Sequence, residues 1–226
     1  MLLAVDTATR WASLALYDDT GVISEFSWRC AGNHTVEVLP TIALMLNQAR
    51  ARPENLKAVA VAKGPGSFTG LRIGMGIAKG LCLALNIPII AIPTLDTIAY
   101  AVGDPGGLVY AILELGRGRI CVSQYLFEDG LPVLHTDPAI HDEQTWQPEA
   151  SEPVVLTGEI SADLTEHLLQ LPQAGNIAIS SLSASIRRAG YLAELAWQRQ
   201  QKGEVDDLDS ISPAYLQQPG SGIKTG

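Results

Sequence analysis

Three groups of residues in this chain have types and spacings that could do chemistry. In Val5-Asp6-Thr7-Ala8-Thr9 a carboxylate stands beside two hydroxyls. Such a set can position a metal ion or phosphate, or simply end a strand and satisfy loop amides. Gly64-Pro65-Gly66-Ser67-Phe68-Thr69-Gly70 separates a short apolar run from an Ala/Leu-rich one. Its spacing is neither the Walker loop nor the dinucleotide fingerprint. As a turn, Gly64 and Gly66 permit backbone angles closed to other residues, Pro65 fixes the bend, and Ser67 or Thr69 caps the helix that follows. As a site, the same turn gathers backbone N–H groups at a helix N-terminus, where an anion or a partner could be held. The third group is the histidines, His34, His135, His141 and His167. No two are four apart, so no helical pair for a metal exists, and His34 reads as a capping or polar surface residue. Ser67 lies between glycines but not in a Gly-x-Ser-x-Gly elbow, and no base can be paired with it. No catalytic set and no metal site is expected.

These residues need elements to hold them. Residues 2–6, 11–18 and 22–28 read as three strands joined by tight turns. Over 35–50, Val38, Ile42, Met45 and Ala49 fall on one helical stripe, and Leu39, Ile42 and Leu46 on an adjoining one. Pro40 starts that helix or kinks it after a first turn. A buried strand at 57–63 leads into the glycine turn and a helix to residue 84. Gly70, Gly74, Gly76 and Gly80 each cost that helix about 1 kcal/mol relative to alanine. The offset is a close helix contact, within the fold or with a partner. A strand at 87–92 and a short helix at 95–102, capped by Thr94, complete the first half. Gly103-Asp104-Pro105-Gly106-Gly107 marks a boundary. Beyond it, strands are expected at 108–115, 119–127 and 131–135, then at 154–156 and 177–180 around a helix near 161–171. A long helix at 182–202 returns to the first half. The division is 1–103, 104–183, the returning helix and its extension to 216, and a flexible tail over 217–226.

Composition narrows the function. Of 226 residues 47% are hydrophobic and 17% charged, which suits a packed globular chain. The net charge is −9, and no basic run exceeds Arg187-Arg188, so the chain lacks the basic face that nucleic-acid binding requires. Cys30, Cys82 and Cys121 are scattered in apolar segments and read as buried thiols rather than a disulfide or zinc set. The start carries no basic n-region, and the apolar run at 70–85 holds Arg72 and Lys79 and is short for a bilayer. A cytoplasmic protein without membrane contact is expected.

The stretch Gly-Pro-Gly-Ser-Phe-Thr-Gly-Leu-Arg-Ile-Gly, with Val5-Asp6-Thr7-Ala8-Thr9 and with Asn33-His34-Thr35 before Leu39-Pro40, resembles the TsaB (YeaZ) family. The match is strong over residues 1–101 and weak beyond. The resemblance implies an α/β fold of the ASKHA type, actin- and hexokinase-like, with a duplicated ribonuclease H-like unit and two subdomains with mixed central sheets. It implies a non-catalytic scaffold for threonylcarbamoylation of the adenosine beside the tRNA anticodon. The partners would be a TsaD-type catalytic subunit and a TsaE-type ATPase, with a homodimer through the same helices and only indirect contact with tRNA. The interface carried over comprises His34, Val38, Leu39, Ile42, Met45 and Leu46 on one helix, and Gly70, Arg72, Gly74 and Met75 on the next. Arg72 is expected to pair with a carboxylate or phosphate. Asp6, Thr7 and Thr9 match the first phosphate loop of ASKHA ATPases, and with Gly64, Gly66 and Ser67 they form the candidate nucleotide or phosphate loop of this chain. The resemblance assigns this chain no cofactor of its own, ATP or ADP lying at the partner junction. Two departures stand out. Glu114-Leu115-Gly116-Arg117-Gly118-Arg119 replaces an Asp-Ala-Arg turn, which weakens a second phosphate loop. After Pro213-Ala214-Tyr215-Leu216, Gln217 replaces an arginine. The alternative is a small-molecule kinase or ATPase acting alone through Asp6 and the glycine turn.

Overall fold

The computed structural model describes residues 1–30 and 32–216; the tail expected over 217–226 lies outside them. Fully buried β1 (Leu2–Asp6) pairs antiparallel with β2 (Trp11–Asp18), which in turn pairs with β3 (Gly21–Arg29). After α1 (His34–Gln48), β4 (Ala58–Gly64) lies parallel to β1. Then α2 (Phe68–Leu85) crosses to β5 (Ile89–Pro93), parallel to β4, and α3 (Thr94–Tyr100) follows. The sheet order is β3-β2-β1-β4-β5, with the most apolar and most buried strands, β1 and β4, at its centre, where both faces are covered.

The second half repeats the plan. β6 (Leu108–Gly116), β7 (Arg119–Glu128) and β8 (Leu131–Asp142) form a meander. β9 (Val154–Gly158) lies parallel to β6, and α4 (Ala162–Leu169) leads to β10 (Ile177–Ile179), parallel to β9. The order β8-β7-β6-β9-β10 reproduces that of the first sheet strand for strand, so the chain is a duplicated α/β unit with two mixed sheets. The last helix is α5 (Ala189–Gln201).

Both faces of the first sheet are filled. Leu3, Val5, Leu14 and Leu16 pack under α1 and α2, against Val38, Ile42, Met45, Leu46, Met75 and Ala78. On the opposite face Ala4, Ala15, Ala58 and Ala60 meet Ala189, Leu192, Ala193 and Ala196 of α5, small residues that let helix and sheet approach closely. The second sheet packs Ile112 and Leu156 on Leu164 and Leu168 of α4, and Val109, Ala111 and Leu113 on Leu95, Ile98 and Ala99 of α3.

Four features differ from expectation. The third helix, grouped by sequence with residues 1–103, packs beneath the second sheet because Leu95, Ile98 and Ala99 face it. Thr94 caps nothing: it is already helical, and its buried Oγ1 has no partner among the described residues. β8 continues past residue 135 to Asp142. The last helix begins at Ala189 rather than near 182, because its first amides are met by side chains of other strands. Ala189 N donates to Ser13 Oγ at 2.8 Å and Gly190 N to Glu25 Oε1 at 2.7 Å. Residues 180–188 are thereby free to run irregularly and carry Arg187 inward.

At the junction of α3 and β7, Tyr125 Oη donates to Asp96 Oδ1 at 2.8 Å. Burial pushes the Asp96 carboxyl up, against the opposing pull of that hydrogen bond. A carboxyl raised in the folded state stabilises fully below its unfolded value, about 3.9, and loses that contribution as pH rises through its folded value. Asp96→Asn keeps an acceptor for Tyr125 and removes the buried charge. Its thermal midpoint should exceed wild type at pH 7, and the advantage should vanish below about pH 4. An equal difference at both pH values would contradict this.

Candidate functional site

The two loops singled out by sequence lie against each other at the carboxyl ends of β1 and β4, and they are bonded together. Thr7 Oγ1 donates to Gly70 O at 2.7 Å, and Ser67 N donates to Ala8 O at 2.6 Å. Ser67 Oγ accepts from Gly70 N at 3.3 Å, so Ser67 is the cap of α2. Glycine is required by proximity: a Cβ on Gly66 would stand 2.3 Å from Ala8 O, and one on Gly70 2.1 Å from Thr7 O. Behind the turn, Ala214 N donates to Lys63 O at 2.8 Å, and a Cβ on Gly64 would stand 2.5 Å from Ala214 O.

Asp6 is buried and both its oxygens are engaged. Oδ1 accepts from Ala8 N at 2.8 Å and Oδ2 from Arg187 Nε at 2.9 Å. Arg187 then reaches the other half of the molecule, its Nη1 donating to Glu159 Oε1 and its Nη2 to Thr9 Oγ1, both at 2.7 Å. The Thr9 hydroxyl donates to Glu159 Oε1, also at 2.7 Å, while Glu159 Oε2 accepts from Glu114 N at 3.2 Å. Burial alone would lower the Arg187 pKa, but the charges and hydrogen bonds of Asp6 and Glu159 outweigh it and hold the guanidinium protonated. Nearer solvent, Arg10 pairs with Glu114 at 2.8 Å. Glu159 and Arg187 were not anticipated. The signals available were a carboxylate directly after the Thr157-Gly158 strand end and an arginine in a Ser/Ala/Ile segment.

The space left beside this network is a cleft of about 250 Å³ lined by Thr9, Arg10, Gly66, Ser67, Glu114, Leu115 and Glu159. A metal–phosphate group at Asp6 does not fit. Neither carboxylate oxygen is free, the guanidinium fills the cation's place, and the loops that would hold phosphate bond to one another. Among the described residues no three His, Cys, Asp or Glu side chains converge as metal ligands.

The helix pair divides differently from expectation. Val38, Ile42, Met45, Leu46 and Met75 are buried in the chain's own core, so these five are not a surface. His34 is buried too, rather than a surface residue, with its Nε2 unpartnered among the described residues. A Cβ on Gly74 would meet Thr7 Oγ1 at 2.3 Å, so Gly74, like Gly70, serves an internal contact. The outward side carries Val36, Leu39 and Leu44 on α1 and Phe68 and Leu83 on α2. Gly76 and Gly80 are open, with nothing among the described residues within 4 Å of a Cβ built on either. Among the described residues Arg72 meets no carboxylate: its Nε donates to Tyr215 Oη at 2.8 Å and its guanidinium lies 3.7 Å from the Phe68 ring centre. By length and mean hydropathy, 1.4, α2 could cross a membrane, yet one side of it packs on β4, which leaves the apolar outer side to be explained.

The tRNA threonylcarbamoyladenosine biosynthesis protein TsaB of Bacillus subtilis (strain 168) is 37% identical over 218 residues, 95% of this chain and 93% of that protein. The chain belongs to the TsaB family. Escherichia coli (strain K12) TsaB is 37% identical over 126 residues, 55% of this chain and 54% of that protein. Among solved structures, YeaZ from Pseudomonas aeruginosa superposes with a TM-score of 0.80 at 24% identity, covering 95% of this chain and 99% of that one. That likeness confirms the two-sheet fold. Residues 21–129 also match the family model of TsaD, tRNA N6-adenosine threonylcarbamoyltransferase. TsaB-family membership thus goes with an ASKHA-like architecture shared with a transferase family.

Proposed function

We propose that this TsaB-family chain serves tRNA threonylcarbamoyladenosine biosynthesis as a non-catalytic scaffold, docking a TsaD-type catalytic subunit on the outer side of α1 and α2. The observation that carries this is a contrast. The loops that could hold phosphate are closed on each other, whereas Gly76 and Gly80 lie open beside Leu83 on the outer side of a long helix, a side on which nothing among the described residues approaches either glycine. Glycines in a helix interior that meet nothing in their own chain cost stability, and close approach of a second helix offsets that cost. The TsaE-type ATPase joins the assembly, tRNA is held by other subunits in keeping with the −9 charge here, and ATP or ADP takes part at the junction. A homodimer would use the same side. An ATPase acting alone is not favoured, because Asp6 has no free oxygen.

The test is isothermal titration with the TsaD-type protein of the same organism. Wild type should bind, and Gly80→Arg should weaken binding at least about 100-fold, the scale of a steric and charge insult at an interface centre, while leaving the thermal midpoint unchanged. No binding by wild type, or equal binding by the variant, sinks the proposal. Steady phosphate release from ATP by the purified chain would revive the solitary ATPase.

A further inference from the structure

The misfit between this cleft and a metal-bound phosphate has a specific chemical form. Asp6 ends the central strand of the first sheet, Glu159 follows β9 of the second, and Arg187 precedes α5. All three are buried, and the guanidinium sits between the two carboxylates with contacts of 2.9 and 2.7 Å. The Thr9 hydroxyl is a third oxygen on the same group, at 2.7 Å. Two carboxylates and a hydroxyl are a hard-oxygen set suited to magnesium, manganese or calcium. The two carboxylates carry −2 and the guanidinium only +1, so the buried set keeps a formal charge of −1; a divalent ion in place of the guanidinium would bring it to zero. The bond from Arg187 to both carboxylates also ties the two sheets together, so whatever cation lies there holds the halves at one angle.

We infer that Arg187 is a built-in substitute for a divalent cation: it occupies a latent Asp6–Thr9–Glu159 cation site between the two halves and makes the wild-type chain indifferent to divalent ions. Removing its side chain should uncover the site.

Thermal unfolding of the full chain in EDTA and in millimolar manganese tests it. The wild-type midpoint should not move with manganese. Arg187→Ala should melt lower in EDTA and rise by about 3–6 °C in manganese, as one site near tenfold saturation would give. The double variant Arg187→Ala/Glu159→Gln should lose that rise. If Arg187→Ala does not fold on expression, it is refolded from urea with and without manganese, and recovery only with the ion supports the inference. A manganese response in wild type overturns it, as does a folded Arg187→Ala without response, an undiminished response in the double variant, or refolding failure in both conditions.

Discussion

Gly70→Ala should destabilise the protein by about 3 kcal/mol or more, an overpacking that a fixed backbone cannot relieve. The added methyl would stand 2.1 Å from Thr7 O, and the atom in its way is main chain, so the loop must move. Moving it also breaks the 2.7 Å bond from Thr7 Oγ1 to Gly70 O, which is buried. For a chain of this length the loss corresponds to a midpoint lower by about 6–12 °C. Gly76→Ala is the internal control. It lies six residues along the same helix with nothing within 4 Å, and should be neutral or gain up to about 1 kcal/mol from helix propensity. Thermal melts of the two variants check the pair, and equal shifts would mean that the loop contact contributes nothing.

Glu159→Ala should cost about 3–5 kcal/mol, the range seen when one partner of a buried ion pair is removed. Arg187 would keep Asp6 but lose its contact at Nη1, and Glu114 N would lose an acceptor. The nearby Arg10–Glu114 pair provides the contrast. Arg10 is half exposed, and Arg10→Ala should cost no more than about 1 kcal/mol. Urea unfolding of both variants measures the difference. A Glu159→Ala loss no larger than that of Arg10→Ala would show that the network does not hold the two sheets together.

The strand and helix plan was legible from residue order because its causes are local. The apolar runs of β1 and β4, the Pro/Gly turn and the 3.6-residue stripe of α1 are each written within about twenty residues. So was the family, since Gly64 to Gly74 and the Asp6 loop keep a recognisable order. Both helices were legible as helices, but their sides could not be told apart. Val38, Ile42 and Met45 are as apolar as Val36, Leu39 and Leu44, and periodicity finds a stripe without saying which sheet covers it. The glycines of α2 show the same limit, because four identical residues in one helix proved to be two internal contacts and two open positions.

What the sequence by itself determined is therefore the set of elements, the turn chemistry at Gly64–Gly70 and the acidic composition. The tertiary structure alone decided that Asp6 is bonded to an arginine 181 residues away, that Thr9 meets Glu159 across 150 residues, and that α5 starts where Ser13 and Glu25 meet its amides. The reason is physical. Backbone propensity and turn geometry act between neighbours, whereas a buried charge takes whatever partner packing brings within 3 Å, and no local pattern records which one that will be.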